Sequence, residues 1–149
     1  MYDILSNHRI EVILSVQQKS AAAAANYPDD DGFDLWENNQ LPNRVLIVVD
    51  VQTVATNGTL DLIVQDSSDQ STWDADFITA AQIDEAGLYF IDVNDPNRYL
   101  RLSGDVDTAA VTWGAYLITF EDQRRPVTQS GSTLTLTYGT DRTPKVASS

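Results

Sequence analysis

Alternating apolar and polar residues mark the first clear element of the chain. Ile10, Val12, Leu14 and Val16 are apolar at every second position, and this period of two predicts a strand with one buried face. Residues 44–52 differ, because they are rich in β-branched side chains and almost continuously apolar. Such a run is typical of a strand that is covered on both faces.

Turn residues separate this strand from the next one. Residues 59–66 alternate again, and the preceding link contains Asn57-Gly58, a pair that favours a hairpin between two strands. A bend is expected near Gly104-Asp105, between two later strands. Further strands are predicted at residues 33–36, 87–93, 98–102 and 109–120.

Helical tendencies are confined to two segments. The five alanines at residues 21–25 have high helix propensity, but so short a helix is marginal in water. We therefore expect a loop there, with at most one helical turn. Residues 76–86 are the only other possible helix. Seven or eight short strands, with turn signals roughly every 8–12 residues, predict an all-β fold: an antiparallel β-sandwich of the jelly-roll type.

The C-terminal part of the chain has a different character, so we predict two regions. These are a β-sandwich body, residues 1–125, and a C-terminal arm, residues 126–149. In the arm, Leu134, Leu136 and Tyr138 alternate with threonines and predict one amphipathic strand. A lone strand must satisfy its backbone groups at a sheet edge, which could belong to its own body, a sister subunit or another protein. A disordered tail is the alternative.

Charge also distinguishes the body from the arm. The chain has 22 acidic and nine basic residues, a formal net charge of −13. Residues 1–122 hold 21 of the acids and five of the bases, a net of −16, whereas residues 123–149 carry a net of +3. Eighteen acids are Asp, which favours turns over helix interiors. A negative body argues against nucleic-acid binding, which needs cations to displace phosphate counterions.

Membrane and secretory signals are not evident in the sequence. The longest apolar run, residues 45–49, is far too short to cross a bilayer. The N-terminus lacks the basic stretch and apolar run of a secretory signal. We therefore expect assembly in a cytoplasm and no membrane partner.

Candidate catalytic residues are few. His8 is the single histidine, it lies near the N-terminus, and the chain has no cysteine, so nucleophilic catalysis by the common routes is poorly supported. Paired carboxylates of the glycosidase type remain an alternative, with Glu37 next to Trp36 as the best candidate for a general acid. Because acidic residues also solvate turns, we predict no enzyme and no catalytic residues.

Two loops invite a binding interpretation. Asp29-Asp30-Asp31-Gly32 offers oxygen ligands for calcium but lacks the spacing and the distal Glu of a calcium-binding loop. Residues 67–73 resemble a shortened Asp-box turn that ends at Trp73, which leaves a sugar-binding role open. The simpler interpretation is structural for both loops, so we predict no metal and no cofactor.

Four segments, in order along the chain, carry a resemblance to a known family. They are the valine-rich residues 45–51, the strand that ends in Ser67-Ser68-Asp69, the strand Arg98-Tyr99-Leu100-Arg101-Leu102, and residues 111–118 around Gly114-Ala115. In this order they resemble the Bordetella-phage type of capsid cement (decoration) protein of tailed bacteriophages, over roughly residues 10–122. The acidic segment 21–39 looks longer than the resemblance implies, and the arm is additional.

The resemblance implies a jelly-roll virion protein that self-associates, as a dimer or trimer, and binds the outer face of the major capsid protein shell, clamping neighbouring capsomers. It brings no catalytic residues. Candidate partner contacts come instead from the end of the body and from the arm: Arg124, Arg125, Leu134, Leu136, Tyr138 and Arg142. The alternative function is a receptor- or glycan-binding module of a phage tail fibre or another surface protein.

Overall fold

The computed structural model describes residues 8–36, 41–120, 135–139 and 144–147. Within these residues every regular element is a β-strand, so the all-β prediction is confirmed. The strands are β1 His8–Lys19, β2 Ala22–Tyr27, β3 Phe33–Asp34, β4 Arg44–Val54, β5 Thr59–Ser67, β6 Asp74–Thr79, β7 Gly87–Asn94, β8 Tyr99–Asp107, β9 Val111–Phe120, β10 Thr135–Gly139 and β11 Pro144–Ala147.

The strands form two antiparallel sheets that pack against each other as a β-sandwich. The first sheet has six strands in the order β1-β9-β4-β7-β10-β11. The second has the order β2-β8-β5-β6, and the short strand β3 also pairs with β8. Consecutive strands therefore often lie in different sheets, so the chain crosses repeatedly from one layer to the other.

The core lies between the two sheets and is built by the alternation seen in the sequence. On β4, Val45, Ile47, Val49 and Val51 are buried, and they belong to the same core as the inner residues of β5 and β8. Trp113 on β9 is fully buried, with its ring edge-to-face against Tyr27 at 5.3 Å between centroids. Full burial of one aliphatic side chain is worth about 1.5–3 kcal/mol, so this core supplies most of the stability.

The two segments with helical tendencies are strands instead. Residues 22–27 form β2, which pairs antiparallel with β8 from Ala22↔Val106 to Tyr27↔Leu102. Five alanines are too few to nucleate a stable helix, whereas a strand gains a ladder of backbone hydrogen bonds from its neighbour. The possible helix at 76–86 is also wrong, because residues 74–79 form β6 along β5.

Two turn predictions need correction. Asn57 has a positive φ of 63°, and the Gly58 N–H donates to the Ala55 carbonyl at 2.8 Å, so a tight turn forms. It does not make a hairpin, because β4 and β5 lie in different sheets. Gly104 is not at a bend: it lies within β8, where a β-carbon would come within 2.9 Å of the Trp113 ring.

The arm contributes two strands to the six-stranded sheet. β10 pairs antiparallel with β7, from Thr135↔Ile91 to Gly139↔Gly87. β11 then pairs with β10. Of the three possible edges, the structure thus places the arm strand on the edge of its own body. The predicted boundary at residue 125 lies outside the described residues.

Candidate functional site: an apolar sheet face

The outer side of the six-stranded sheet, which points away from the core, carries apolar residues on four adjacent strands. We call this surface the apolar face. It consists of Ile10, Val12, Leu46, Val48, Leu88, Phe90, Tyr116 and Ile118.

Strand register brings these residues together into two rows across the sheet. In one row Ile10 lies opposite Ile118, which in turn lies opposite Leu46. In the next row Val12, Tyr116, Val48 and Phe90 lie opposite one another in that order. Directly opposite side chains on one sheet face are close enough to touch, so the rows form a continuous patch.

Exposure is greatest at the margins of the apolar face. Ile10 is 62% exposed, Val12 is 51% exposed and Leu88 is 37% exposed, while the other members are partly exposed. One exposed apolar residue is ordinary on a soluble protein, but a contiguous patch that spans several strands marks an interaction surface.

Charged residues border the apolar face at both ends. Beside Leu46, the Arg44 guanidinium donates to both carboxylate oxygens of Asp92, at 2.6 and 2.8 Å. At the other end Asp50 lies on the same side of β4 as Val48. An apolar centre with a polar rim is the usual arrangement of a protein-binding surface.

The outer side of the second sheet is polar by contrast. There Asp61 lies opposite Asp105, and Gln65 lies opposite Arg101, to which it is hydrogen-bonded at 2.7 Å. Ile63 is the apolar exception on β5, and its neighbour in register is Ser103. The two outer faces of one sandwich therefore differ in chemistry, and the first is the one suited to a protein partner.

The edge strand β1 is protected against strand addition along much of its length. Its pairing with β9 is interrupted by register shifts between Val12 and Leu14 and between Leu14 and Gln17. Arg9 and Glu11 lie on the core side of this edge, with Arg9 Nε 2.6 Å from the Glu11 carboxylate. Bulges and inward charges both oppose edge-to-edge pairing, so the flat surface is a better docking site here than the edge.

The loop before β6 is held by a network of local hydrogen bonds. Asp69 Oδ1 accepts from the backbone N–H of Thr72 at 2.7 Å and of Ser71 at 2.9 Å, and also from the Ser67 hydroxyl. These donors hold the pKa of the Asp69 carboxyl well below its usual range. The carboxylate of this loop is therefore occupied in shaping the turn.

Trp73, at the end of this loop, packs against neighbouring residues of the fold. The Arg101 guanidinium lies 4.1 Å from the centre of its ring, and a β-carbon at Gly32 would come within 2.8 Å of the indole. One face of the ring is thus occupied by a cation from β8. The ring face that Arg101 covers is therefore not open for a sugar to stack on.

The acidic loop also uses its side chains locally. Asp29 Oδ1 accepts from the backbone N–H groups of Asp31 and Gly32, both at 3.0 Å, and Asp30 accepts from the Asn26 side chain at 2.7 Å. Among the residues that the structure describes, no group of three or more His, Asp or Glu side chains is arranged to hold a metal ion.

Most of the candidate residues from the sequence are not part of the apolar face. Leu136 and Tyr138 lie in β10, in register with Phe90 and Leu88 of the apolar face. His8 begins β1, where it pairs with Phe120. Four predicted partner contacts, and the possible acid Glu37, lie outside the described residues; the contacts are Arg124, Arg125, Leu134 and Arg142.

Comparisons with protein-family models, curated proteins and solved structures find no match to this chain. In the described part of the chain, no helix is long and apolar enough to cross a membrane.

The sequence analysis did not predict the apolar face as a site, although the apolar run of β4 indicated it. Residues 44–52 predict a strand covered on both faces, yet the residues that the structure describes cover only one. The odd-numbered residues of β4 are buried, whereas Leu46 and Val48 remain partly exposed. The second cover that the sequence predicts is thus absent from the described fold.

Proposed function

We propose that this protein is a structural virion component: a capsid decoration, or cement, protein that self-associates and attaches to the outer face of a major capsid protein shell. The observation that carries the proposal is the apolar face, a ready docking surface on a chain whose described residues show no catalytic arrangement. The ordered resemblance of residues 10–122 to phage cement proteins supplies the identity of the partner.

The topology supports a jelly-roll description of the body. Strands β1, β9, β4 and β7 in one sheet face β2, β8, β5 and β6 in the other. This alternation between two four-stranded layers is compatible with two interleaved Greek keys, and it is the reason for proposing a jelly roll. Such folds serve in viral capsids, although fold alone does not establish function.

The charge distribution is compatible with attachment to a shell. The net charge of −16 on residues 1–122 favours solubility before assembly, and long-range repulsion limits non-specific association. On a shell, many equivalent copies each need only modest affinity, since neighbouring attachments raise the effective concentration of the next.

Copy number in the particle tests the proposal. Purified virions, analysed by quantitative mass spectrometry, are expected to contain the chain in a fixed ratio to the major capsid protein. Treatment that removes it should leave shells that break more readily on heating. Absence from virions, or presence at only a few copies per particle, would refute a decoration role.

A further inference from the structure

One edge of β7 is paired by a strand of the arm. The first edge of β7 pairs with β4 over residues 87–94, and its second edge pairs with β10 over residues 87–91. Without β10 this second edge would present free backbone groups next to Leu88 of the apolar face. Exposed edges of this kind recruit strands from other chains.

The connection to the arm is much longer than the path it has to cover. Phe120 ends β9 in register with Arg44, which lies opposite Asn94, so β9 ends close to the level at which β10 begins opposite Ile91. Three strand spacings and three residues separate the two ends, or about 17 Å. The intervening residues 121–134 can extend to about 45–50 Å. Chain length therefore permits β10 to reach the same edge on a neighbouring copy.

Charge is compatible with a contact between the C-terminal residues of one copy and the body of another. Residues 1–122 carry a net of −16 and residues 123–149 a net of +3. Two bodies repel each other, and a positive arm placed between them offsets part of that repulsion.

We propose that the arm exchanges between copies, with β10 of one chain occupying the β7 edge of a second copy of this chain. The partner makes the same backbone pairing, Leu136 with Phe90 and Tyr138 with Leu88, that the structure contains within one chain. Exchange of an identical element creates an oligomer at little energetic cost, because the contacts between the chains are the same as those within one chain. The inference deepens the proposed function and rests on its self-association, not on the identity of the shell.

The chain has no cysteine, so engineered disulfides can test the exchange in the full-length protein. Leu88 lies opposite Tyr138, within the separation that a disulfide bridges. Two single variants, Leu88→Cys and Tyr138→Cys, are co-expressed and oxidised. In this mixture, a disulfide between positions 88 and 138 can form only between chains, and peptide mass spectrometry identifies it. The matched control pairs Leu88→Cys with Thr135→Cys, which lies opposite Ile91 and is about 10 Å out of register.

We expect the 88–138 link in covalent dimers from the mixture, at several times the control yield. A link that forms only when Leu88→Cys and Tyr138→Cys are combined in one chain, and that leaves this chain a monomer, would overturn the exchange. Shell binding without interchain links would overturn the exchange and leave the decoration proposal standing. Interchain links in a protein that is absent from virions would support the exchange and refute the decoration role.

Discussion

Val12 of the edge strand lies directly opposite Tyr116 of β9, and both residues are on the side of the sheet that points away from the core. A strand that served only the core would place polar residues at these positions, as β5 and β8 largely do in the opposite sheet. The apolar residues on this side of β1, β4, β7 and β9 are the observation on which the proposed partner surface rests.

Gly104→Ala is expected to destabilise the body by about 1–3 kcal/mol, the usual effect of overpacking a core. A β-carbon at this position would lie 2.9 Å from Cζ2 and 3.0 Å from Cη2 of the fully buried Trp113, which has little room to move. Urea unfolding measures the change in free energy. The control is Ser103→Ala, on the outer side of the same strand, which should change stability by less than about 0.5 kcal/mol.

Trp73→Ala is expected to lower the free energy of unfolding by about 1–3 kcal/mol, since the ring packs against Gly32 and under Arg101. Urea unfolding measures it, and glycan arrays probe the alternative function. Specific sugar binding by the intact protein, lost in a Trp73→Ala variant of unchanged stability, would contradict this account and favour a glycan-binding module.

Stability at alkaline pH should depend on Tyr89. Burial, followed by the nearby negative charges of Glu85 and Asp84, raises the pKa of Tyr89 from 10.0 to about 12. Because the folded pKa is the higher one, the associated stability is complete below about pH 10 and is lost as the pH rises towards 12. The full effect is about 2–3 kcal/mol at 1.36 kcal/mol per pH unit.

The comparison variant is Tyr89→Phe, which lacks the titrating group and also the 2.7 Å hydrogen bond to the Glu85 carbonyl. Near neutral pH the variant should be less stable by about 1 kcal/mol. That deficit should shrink or reverse by about pH 11.5. A constant difference between the two proteins across this range would show that Tyr89 does not titrate with a raised pKa.

Stability at acidic pH should depend on Asp69. Hydrogen bonds from Thr72, Ser71 and Ser67 lower its pKa from the ordinary 3.8, so its stabilising effect is present above about pH 4 and is lost as the pH falls further. Asp69→Asn should therefore be less stable than the natural protein at about pH 7, with a smaller difference at about pH 3. Asp105→Asn, which removes the same charge from the outer side of β8, serves as the control for general electrostatics.

Local patterns in the sequence predicted most of the core strands, because β1 and β5 alternate with a period of two and β4 is almost continuously apolar, but they missed β2 and β6. The pairing of strands that are distant in the sequence was harder to predict. Asn57-Gly58 forms its turn, but whether the next strand pairs or crosses to the other sheet depends on packing between layers. In the sequence Gly104 resembles a turn residue. In the structure a glycine is needed at this position because the Trp113 ring fills the space that a β-carbon would occupy.

The apolar face could likewise be predicted only in part from the sequence. The continuous apolar run of β4 predicted a second covered face, but the neighbours Val12 and Tyr116 became part of it only through strand register. The alternation of Leu136 and Tyr138 predicted a strand in the arm, and the sheet edge it meets could not be chosen from sequence. Pairing across about 45 residues of chain is a property of the fold.

The most direct test of the central claim is a binding measurement on the apolar face. Shells of the major capsid protein that lack this chain are mixed with the natural protein or with the double variant Ile10→Ser/Val12→Ser, and bound protein is measured by co-sedimentation. Both positions are more than half exposed, so the fold should tolerate the change. The matched control is Ile63→Ser, on the outer side of the opposite sheet.

Loss of two buried aliphatic side chains should weaken attachment by about 2–4 kcal/mol, or more than tenfold in affinity. The account predicts this loss for the double variant, with near-normal binding by Ile63→Ser. Equal binding by the natural protein and a correctly folded double variant would contradict attachment through the apolar face.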